Sequence, residues 1–222
     1  MTNPRLIYGY DALCGWCYGF IPALTAFAKN HPDVTIEVVP GGLFAGSRAR
    51  PYNQLVDHIT NAFPHVTETT GQAPDDRFWG MIKSPNAPVA NSTVPNMAVA
   101  MMAKQAPEQA VGFAHRLQEI HFTEAADFNA ASTYETLSER HGFPTLDTAA
   151  ILDATDDSPL IAEAYARSDR LGIRSYPTVQ IVHANDTVLT TLPSIYDPAK
   201  FETTAMSALA RFDASKAKEV VQ

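Results

Sequence analysis

Near the start of the chain, residues 5–17 read RLIYGYDALCGWC, and this stretch decides the fold class. Residues 5–10 are mostly apolar and rich in strand formers, and Asp11-Ala12-Leu13 gives a turn signal directly after them. From Trp16 onward, apolar residues recur at steps of three and four positions until His31-Pro32 interrupts them. The pattern predicts a strand followed by a helix, with Cys14 and Cys17 at the mouth of the helix.

Two further regions of the chain have strand character. Residues 34–39 predict a second strand, which would lie parallel to the first across a right-handed helical crossover. Residues 178–183 and 187–192, separated by a polar turn, predict a hairpin. An amphipathic helix that begins near Asp197-Pro198 is expected to follow.

The middle of the chain is alanine-rich and poor in strand formers. Helical periodicity is present in residues 97–105, 107–122 and 132–141, whereas the prolines of residues 71–95 favour a loop there. We therefore expect an α/β fold in which a helical insertion interrupts one domain. The predicted boundaries place residues 1–47 and 166–222 in the interrupted domain and residues 48–165 in the insertion.

Composition and charge exclude several classes of partner. The 222 residues carry a formal net charge of −8, which would repel a phosphate backbone, so we expect no nucleic-acid partner. No apolar run approaches the roughly 20 residues of a membrane span, and no basic run suits an anionic membrane surface. Neither an export signal nor a set of many cysteines is evident, so we expect a cytoplasmic protein.

The spacing and the position of the two cysteines point to thiol chemistry. Residues three apart lie on one face of a helix, where two thiols can form a disulfide. The first turn of a helix presents unpaired N–H groups and the positive end of the helix dipole, and both favour thiolate over thiol. We expect Cys14, outside the first turn, to be solvated and to attack a disulfide. Cys17, one turn further in, is expected to be shielded and to resolve the mixed disulfide.

Other interpretations of the cysteines remain open. Two buried core cysteines are the simplest alternative. A structural zinc site usually needs four protein ligands, and the seven histidines show no paired metal spacing, so no metal is expected. A Cys-His hydrolase would not need the second cysteine. Without a GxGxxG motif, the chain is not expected to bind a nicotinamide cofactor, and no cofactor is predicted.

The motifs Cys14-Gly15-Trp16-Cys17-Tyr18-Gly19-Phe20, Gly41-Gly42-Leu43 and Tyr176-Pro177-Thr178 together resemble the DsbA-like family. More narrowly, they are similar to its cytoplasmic branch of predicted protein-disulfide isomerases. The resemblance extends over nearly the whole chain and implies a thioredoxin-like fold split after its second strand by a helical domain. It departs from the family at Ala12, where many relatives have proline, and at Trp16-Cys17-Tyr18, which differs from the Pro-His pair of the family's exported oxidant.

The resemblance also implies roles for individual residues. It implies that Pro177 is a cis-proline facing the dithiol, and that the backbone of Tyr176 pairs with an extended substrate. Without it, Pro177 could equally be a proline that only fixes the entry to a strand. Gly15 and Trp16 complete the predicted substrate-binding set. Asp11 is expected to form the turn or cap the helix, with proton transfer as the alternative. Glu37 is expected to lie on an exposed strand face, with a buried proton acceptor for Cys17 as the alternative.

The predicted function is thiol–disulfide exchange on protein or small-molecule disulfides, as a reductase or an isomerase. A cellular reductant, glutathione or a thioredoxin system, would then regenerate the dithiol. One alternative is a glutathione-dependent transferase or small-molecule isomerase of the kappa-class type, whose relatives have serine at the attacking position. A second alternative is a non-catalytic interaction module that uses the helical domain as a docking surface.

Overall fold

A computed structural model describes residues 4–219, with side chains described for residues 4–212. Residues 1–3 and 220–222, which belong to the predicted interrupted domain, lie outside the described residues. Strand β1 (Arg5–Tyr10) is followed by helix α1 (Gly15–Asn30) and strand β2 (Ile36–Pro40). The predicted order of strand, helix and strand at the start of the chain is therefore confirmed.

The described residues form one larger sheet, with strand order β2-β1-β5-β6. Strands β1 and β2 are parallel, with Leu6 opposite Ile36, as the crossover rule predicts. Strand β5 (Thr178–Val182) runs antiparallel to β1 and forms the predicted hairpin with β6 (Val188–Leu192).

Alternation along β1 gives the sheet two buried faces. Leu6, Tyr8 and Tyr10 pack on the side of α1 and helix α9 (Pro198–Glu219), where the ring of Phe20 meets that of Phe201 edge-on. Ile7 points to the other face and joins a smaller cluster. Because both faces are covered, the strand that leads into the cysteines is held on all sides.

Helices fill the chain between β2 and β5. Thr93–Gln105 (α4), Ala110–Glu124 (α5) and Ala131–His141 (α6) confirm the three periodic segments predicted there. The other helices of this span are Val56–Thr70 (α2), Asp76–Lys83 (α3), Thr148–Leu152 (α7) and Pro159–Arg170 (α8). Residues Arg50–Pro51 (β3) and Val89–Ala90 (β4) form a small separate ladder.

The predicted loop over residues 71–95 is wrong in part, because α3 and the start of α4 lie within it. Asp75 caps α3 by accepting the N–H of Arg77, and Pro95 stands in the first turn of α4, where the missing N–H has no partner to lose. Prolines at helix starts had the sequence signature of a loop.

The predicted division at residues 48 and 165 stays a prediction. Helix α8 runs across the second of these boundaries and packs against both β2 and α4. None of the helices within residues 4–219 combines the length and the apolar character that crossing a bilayer requires.

Candidate functional site

Cys14 is the N-cap residue of α1. Its backbone is extended, and its N–H donates to the carbonyl of Asp11 at 3.0 Å, which closes the turn after β1. Its Sγ accepts the N–H of Cys17 at 3.3 Å, the bond that a serine or aspartate would accept at this position. The first cysteine therefore faces the positive end of the helix, as the sequence predicts.

The two thiols differ in their access to solvent. Cys17 is fully buried, which confirms that it is shielded, and burial raises the pKa of its thiol well above the ordinary 9.0. Cys14 is only 5% exposed, so the prediction that it is solvated is wrong. Both are free thiols in this structure. A partner molecule would reach Cys14 through the cavity described below, and it would not reach Cys17.

Residues far along the chain complete the surroundings of Cys14. The Tyr176-Pro177 peptide bond is cis, as the family resemblance implies. The Cys14 thiol donates to the carbonyl of Tyr176 at 3.3 Å across 162 positions of sequence. The ring of Tyr176 packs directly on Gly41, where an added Cβ would lie 1.8 Å from the tyrosine oxygen. The fold thus brings together the two predicted parts of the site.

Gly15 and Trp16 lie at the same place. A Cβ on Gly15 would come within 3.0 Å of the ring of Phe63, so α2 packs closely on the start of α1. The Trp16 ring lies 5.6 Å from that of Tyr196, centroid to centroid. Gly15 and Trp16 line a cavity together with Cys14 and Tyr176.

This cavity has a volume of about 410 Å³ and mainly apolar walls. Helix α2 supplies much of one wall, and sequence reasoning missed it, although Ile59, Phe63 and Val66 have helical spacing. The polar groups at its rim include His58 and Arg174. Its main apolar contributors are Leu43, Ile59, Phe63, Val66, Phe78 and Phe122.

Side chains of the helical span hold the turn that carries Cys14. Gln118 of α5 donates through Nε2 to the carbonyls of Asp11, Ala12 and Cys14 at 3.1–3.2 Å. Asn96 of α4 accepts the N–H of Ala12 at 3.2 Å and donates to the carbonyl of Gly41. Amides that can both donate and accept suit a turn whose backbone groups have no partner in a strand or helix.

Asp11 is fully buried within this network. Its Oδ1 accepts from Leu13 N at 2.9 Å, the turn contact that the sequence predicts, and from Ser92 Oγ at 3.0 Å. Its Oδ2 accepts from Leu43 N at 2.8 Å and from Asn96 Nδ2 at 3.3 Å. Burial raises the pKa of Asp11 from 3.8 to about 6, against the opposing effect of these hydrogen bonds.

Two other titratable residues, Glu37 and His121, lie outside the site. Glu37 pairs with Arg5 and Arg167, so it is not a proton acceptor for Cys17. His121 is buried, bonds to Tyr52 Oη and the Ala126 carbonyl at 2.7 Å each, and has a pKa lowered to about 4 by burial. Among the described residues, no three His, Cys, Asp or Glu side chains are grouped as metal ligands would be.

Comparisons with known proteins bear on the fold. No family model matches the chain, and no curated protein matches it. Among solved structures, it is similar to the cytosolic disulfide reductase DsbM from Pseudomonas aeruginosa, with 23% identity and a TM-score of 0.72 over 93% of this chain and 98% of that one. The same protein solved with GSH gives 24% identity and a TM-score of 0.73, with coverage of 93% and 99%.

Two further structures extend the comparison. A protein from Nitrosomonas europaea, provisionally identified as a protein disulfide isomerase, gives 18% identity and a TM-score of 0.71, with coverage of 98% and 99%. A 2-hydroxychromene-2-carboxylate isomerase gives 16% and 0.60, with coverage of 95% and 98%. Likeness at these identities establishes architecture. The chain therefore has a thioredoxin-like fold with an inserted helical domain, the DsbA-like form of that fold.

Proposed function

We propose that the chain is a thiol–disulfide oxidoreductase, acting as a reductase or isomerase through the dithiol of Cys14 and Cys17. The observation that carries the proposal is the placement of the Cys14 thiol. It caps α1, faces the carbonyl of Tyr176 at 3.3 Å and lines the apolar cavity, while the second thiol lies buried one turn behind it.

The exchange needs two steps. The Cys14 thiolate attacks one sulfur of a disulfide RS–SR′, which forms a Cys14–SR bond and releases R′S⁻ as the leaving thiolate. The Cys17 thiolate then attacks the Cys14 sulfur, forms the intramolecular disulfide and releases RS⁻. Two electrons pass to the substrate, and the Cys14–Cys17 pair is oxidised. Of the two cysteines, only Cys14 lines the cavity, and this difference in access supports attack by Cys14 and resolution by Cys17.

Substrate would lie along the backbone of Tyr176, beside Pro177, Gly15 and Trp16. In the free protein the Tyr176 carbonyl accepts the Cys14 thiol. Ionisation of that thiol releases the carbonyl to pair with an N–H of an extended substrate. The apolar walls exclude water from the reacting sulfurs.

We propose that the dithiol is regenerated by glutathione or a thioredoxin system in the cytoplasm, where thiols are kept reduced. Two molecules of glutathione would supply the two electrons and leave as glutathione disulfide. The similarity to a cytosolic disulfide reductase that was also solved with GSH supports this choice.

Two variants test the proposal by the reduction of insulin with dithiothreitol. Cys14→Ser should lower the catalysed rate to background, because the attacking sulfur is lost. Reduced Cys17→Ser, mixed with insulin without dithiothreitol, should stop at the mixed disulfide, which mass spectrometry would detect on Cys14. Wild-type rates in Cys14→Ser would show the proposal to be wrong. Retained turnover of a glutathione conjugate in Cys14→Ser would instead favour the kappa-class type of transferase or isomerase.

A further inference from the structure

The carboxylate of Asp11 joins three segments that surround the dithiol. Its partners are Leu13 in the turn before Cys14, Leu43 at the rim of the cavity, and Ser92 and Asn96 at the start of α4. A carboxylate offers about four lone-pair sites, and the described donors occupy all of them. A proton that binds Asp11 therefore has to displace one of these donors.

The loop after β2 depends on the same contacts. Leu43 is 37% exposed and lines the cavity with Cys14, and its N–H donates to Asp11. The N–H of Phe44 donates to the Ser92 hydroxyl, which itself donates to Asp11. Asp11 therefore links this side of the cavity to the turn that carries the thiol, alongside Asn96, which bonds to both Ala12 and Gly41.

We propose that Asp11 is a positioning residue of the dithiol site, whose ionised carboxylate holds the turn before Cys14 against the Leu43 loop and so fixes the mouth of the cavity for disulfide substrates. The inference rests on the function proposed above. It adds a residue that touches neither substrate nor the reacting sulfur atoms through its carboxylate.

Protonation of Asp11 weakens its hydrogen bonds to the turn before Cys14 and to the Leu43 loop. A carboxylic acid keeps fewer acceptor sites than a carboxylate, yet the N–H groups of Leu13 and Leu43 can only donate. Burial brings this protonation close to neutral pH, since the pKa of Asp11 is about 6. The titratable neighbours of Asp11 are uncharged at pH 6 and do not balance its charge: Tyr10 on β1, Cys17 on α1, Tyr52 before α2, Tyr165 on α8 and Tyr176 before β5.

Two charged groups are attached to the same segments. Arg48 donates to the carbonyls of Gly42 and Leu43, and Asp156 accepts the hydroxyl of Thr93 beside Ser92. Neither contacts the Asp11 carboxylate through a hydrogen bond among those described for residues 4–212. A pH effect on the Leu43 loop is therefore assigned to Asp11.

The test uses the whole reduced protein as wild type, Asp11→Asn and Ser92→Ala. By NMR, the amide protons of Leu13 and Leu43 should titrate together in the wild type with a midpoint near pH 6. Ser92→Ala should move that midpoint upward, because the hydrogen bond from Ser92 lowers the pKa of Asp11. Asp11→Asn should abolish the titration, since its amide cannot ionise.

Steady-state kinetics with insulin then separate KM from kcat between pH 5 and 8. The wild-type KM should rise about fivefold as pH falls through the NMR midpoint, the loss expected from one weakened charged hydrogen bond. Asp11→Asn should have the raised KM at every pH. The pH profile of kcat should be the same in all three proteins. In Ser92→Ala the KM step should move with the Leu43 titration, which decides the matter even if Asp11→Asn does not fold.

A KM step that stays in Asp11→Asn, or that does not move with the Leu43 titration in Ser92→Ala, would overturn the inference and leave the proposed function intact. A wild-type protein that reduces no disulfide would overturn the proposed function instead. In that case the NMR titration still decides whether Asp11 joins the two segments: separate midpoints for Leu13 and Leu43 would show that it does not.

Discussion

The two ends of strand β1 hold carboxylates in opposite ways. Beyond its last residue, Asp11 is fully buried and bonds only to neutral donors among the described residues. At its first residue, Arg5 and Arg167 bind Asp186, whose side chain is 33% exposed, together with Glu37. Burial raises the pKa of Asp11 to about 6, whereas the hydrogen bond from Arg167 lowers that of Asp186.

The difference shows how one sheet can be rigid at one end and responsive at the other. The hydrogen bond from Arg167 lowers the pKa of Asp186, so the charge of this carboxylate is constant over the physiological range. Neutral donors satisfy the hydrogen bonds of Asp11 without cancelling its charge, and its protonation therefore falls within reach of neutral pH. The responsive end is the end with the thiols.

The largest expected difference between the two ends of β1 is in the free energy of unfolding that is lost when a side chain is truncated. Asp11→Ala leaves the buried donors of Ser92 and Asn96 and two backbone N–H groups without an acceptor, and we expect unfolding in urea to show a loss of about 4 kcal/mol. Arg167→Ala, which breaks a half-exposed cluster, should cost about 1 kcal/mol. Equal losses would mean that the two ends are held in the same way.

The pH dependence of stability should have opposite signs at the two ends. The pKa of folded Asp11 lies above its ordinary 3.8, so the folded state binds the extra proton and loses up to about 3 kcal/mol as pH rises from 4 to 6. Asp11→Asn should lack this loss. The lowered pKa of Asp186 gives stability that is present above its ordinary 3.8 and is lost as pH falls through its folded value, about 1 kcal/mol after solvent screening.

Urea unfolding of wild type, Asp11→Asn and Asp186→Asn at several pH values between 3 and 7 measures both effects. The stability of the wild type relative to Asp11→Asn should increase as pH falls from 6 to 4. The difference between wild type and Asp186→Asn should favour the wild type at pH 7. The comparison fails if both differences have the same sign of pH dependence.

Steric crowding offers a third contrast, between the thiol end and a solvent-facing helix. Gly41→Ala places a methyl group 1.8 Å from the Tyr176 oxygen and should cost about 2 kcal/mol, with a slower exchange reaction because Tyr176 must shift from Cys14. Gly80→Ala in α3 is the matched control, since its added Cβ meets no atom within 4 Å, and it should stabilise the helix slightly. Equal unfolding midpoints for the two variants would contradict the crowding.

The smallest expected effect is that of salt. In 1 M NaCl the penalty of Arg167→Ala should fall by about 0.5 kcal/mol, because its partly exposed ion pairs are screened. The penalty of Asp11→Ala should stay the same, since the Asp11 carboxylate is fully buried and salt ions do not reach its hydrogen bonds. A parallel decrease in both penalties would show that the Asp11 region is open to ions.

Sequence patterns predict the parts of this fold whose signals are local. The strand before Cys14, the helix after it and the hairpin at β5 and β6 follow from periodicity and turn residues. Helix α3 escaped because prolines near its start and after its end resemble loop signals. The surroundings of Cys14 could not be predicted for another reason. Ser92, Asn96 and Gln118 lie 81–107 positions along the chain from the turn that they bind.

Long separations along the sequence also explain which features of the candidate site could be predicted. The place of Cys14 at the start of α1 can be predicted from the local sequence. Its burial depends on α2 and on the Tyr176 segment, so its exposure could not be derived from residues 11–17. For Asp11, the contact with Leu13 is local and was expected, whereas the contacts that bury it come from other segments. Tyr176 and Pro177 were found only through the family resemblance.

The Gln118 amide that binds three carbonyls of the cysteine turn is synthesised long after the turn itself. The ribosome adds Gln118 104 residues after Cys14, and Tyr176 162 residues after it. At the usual pace of translation, roughly 10–30 s pass before the nascent chain that carries Cys14 also contains both Gln118 and the Tyr176 carbonyl. During that interval the two cysteines have neither of these contacts, and the surroundings of Cys14 are complete only after the chain has been made as far as Tyr176.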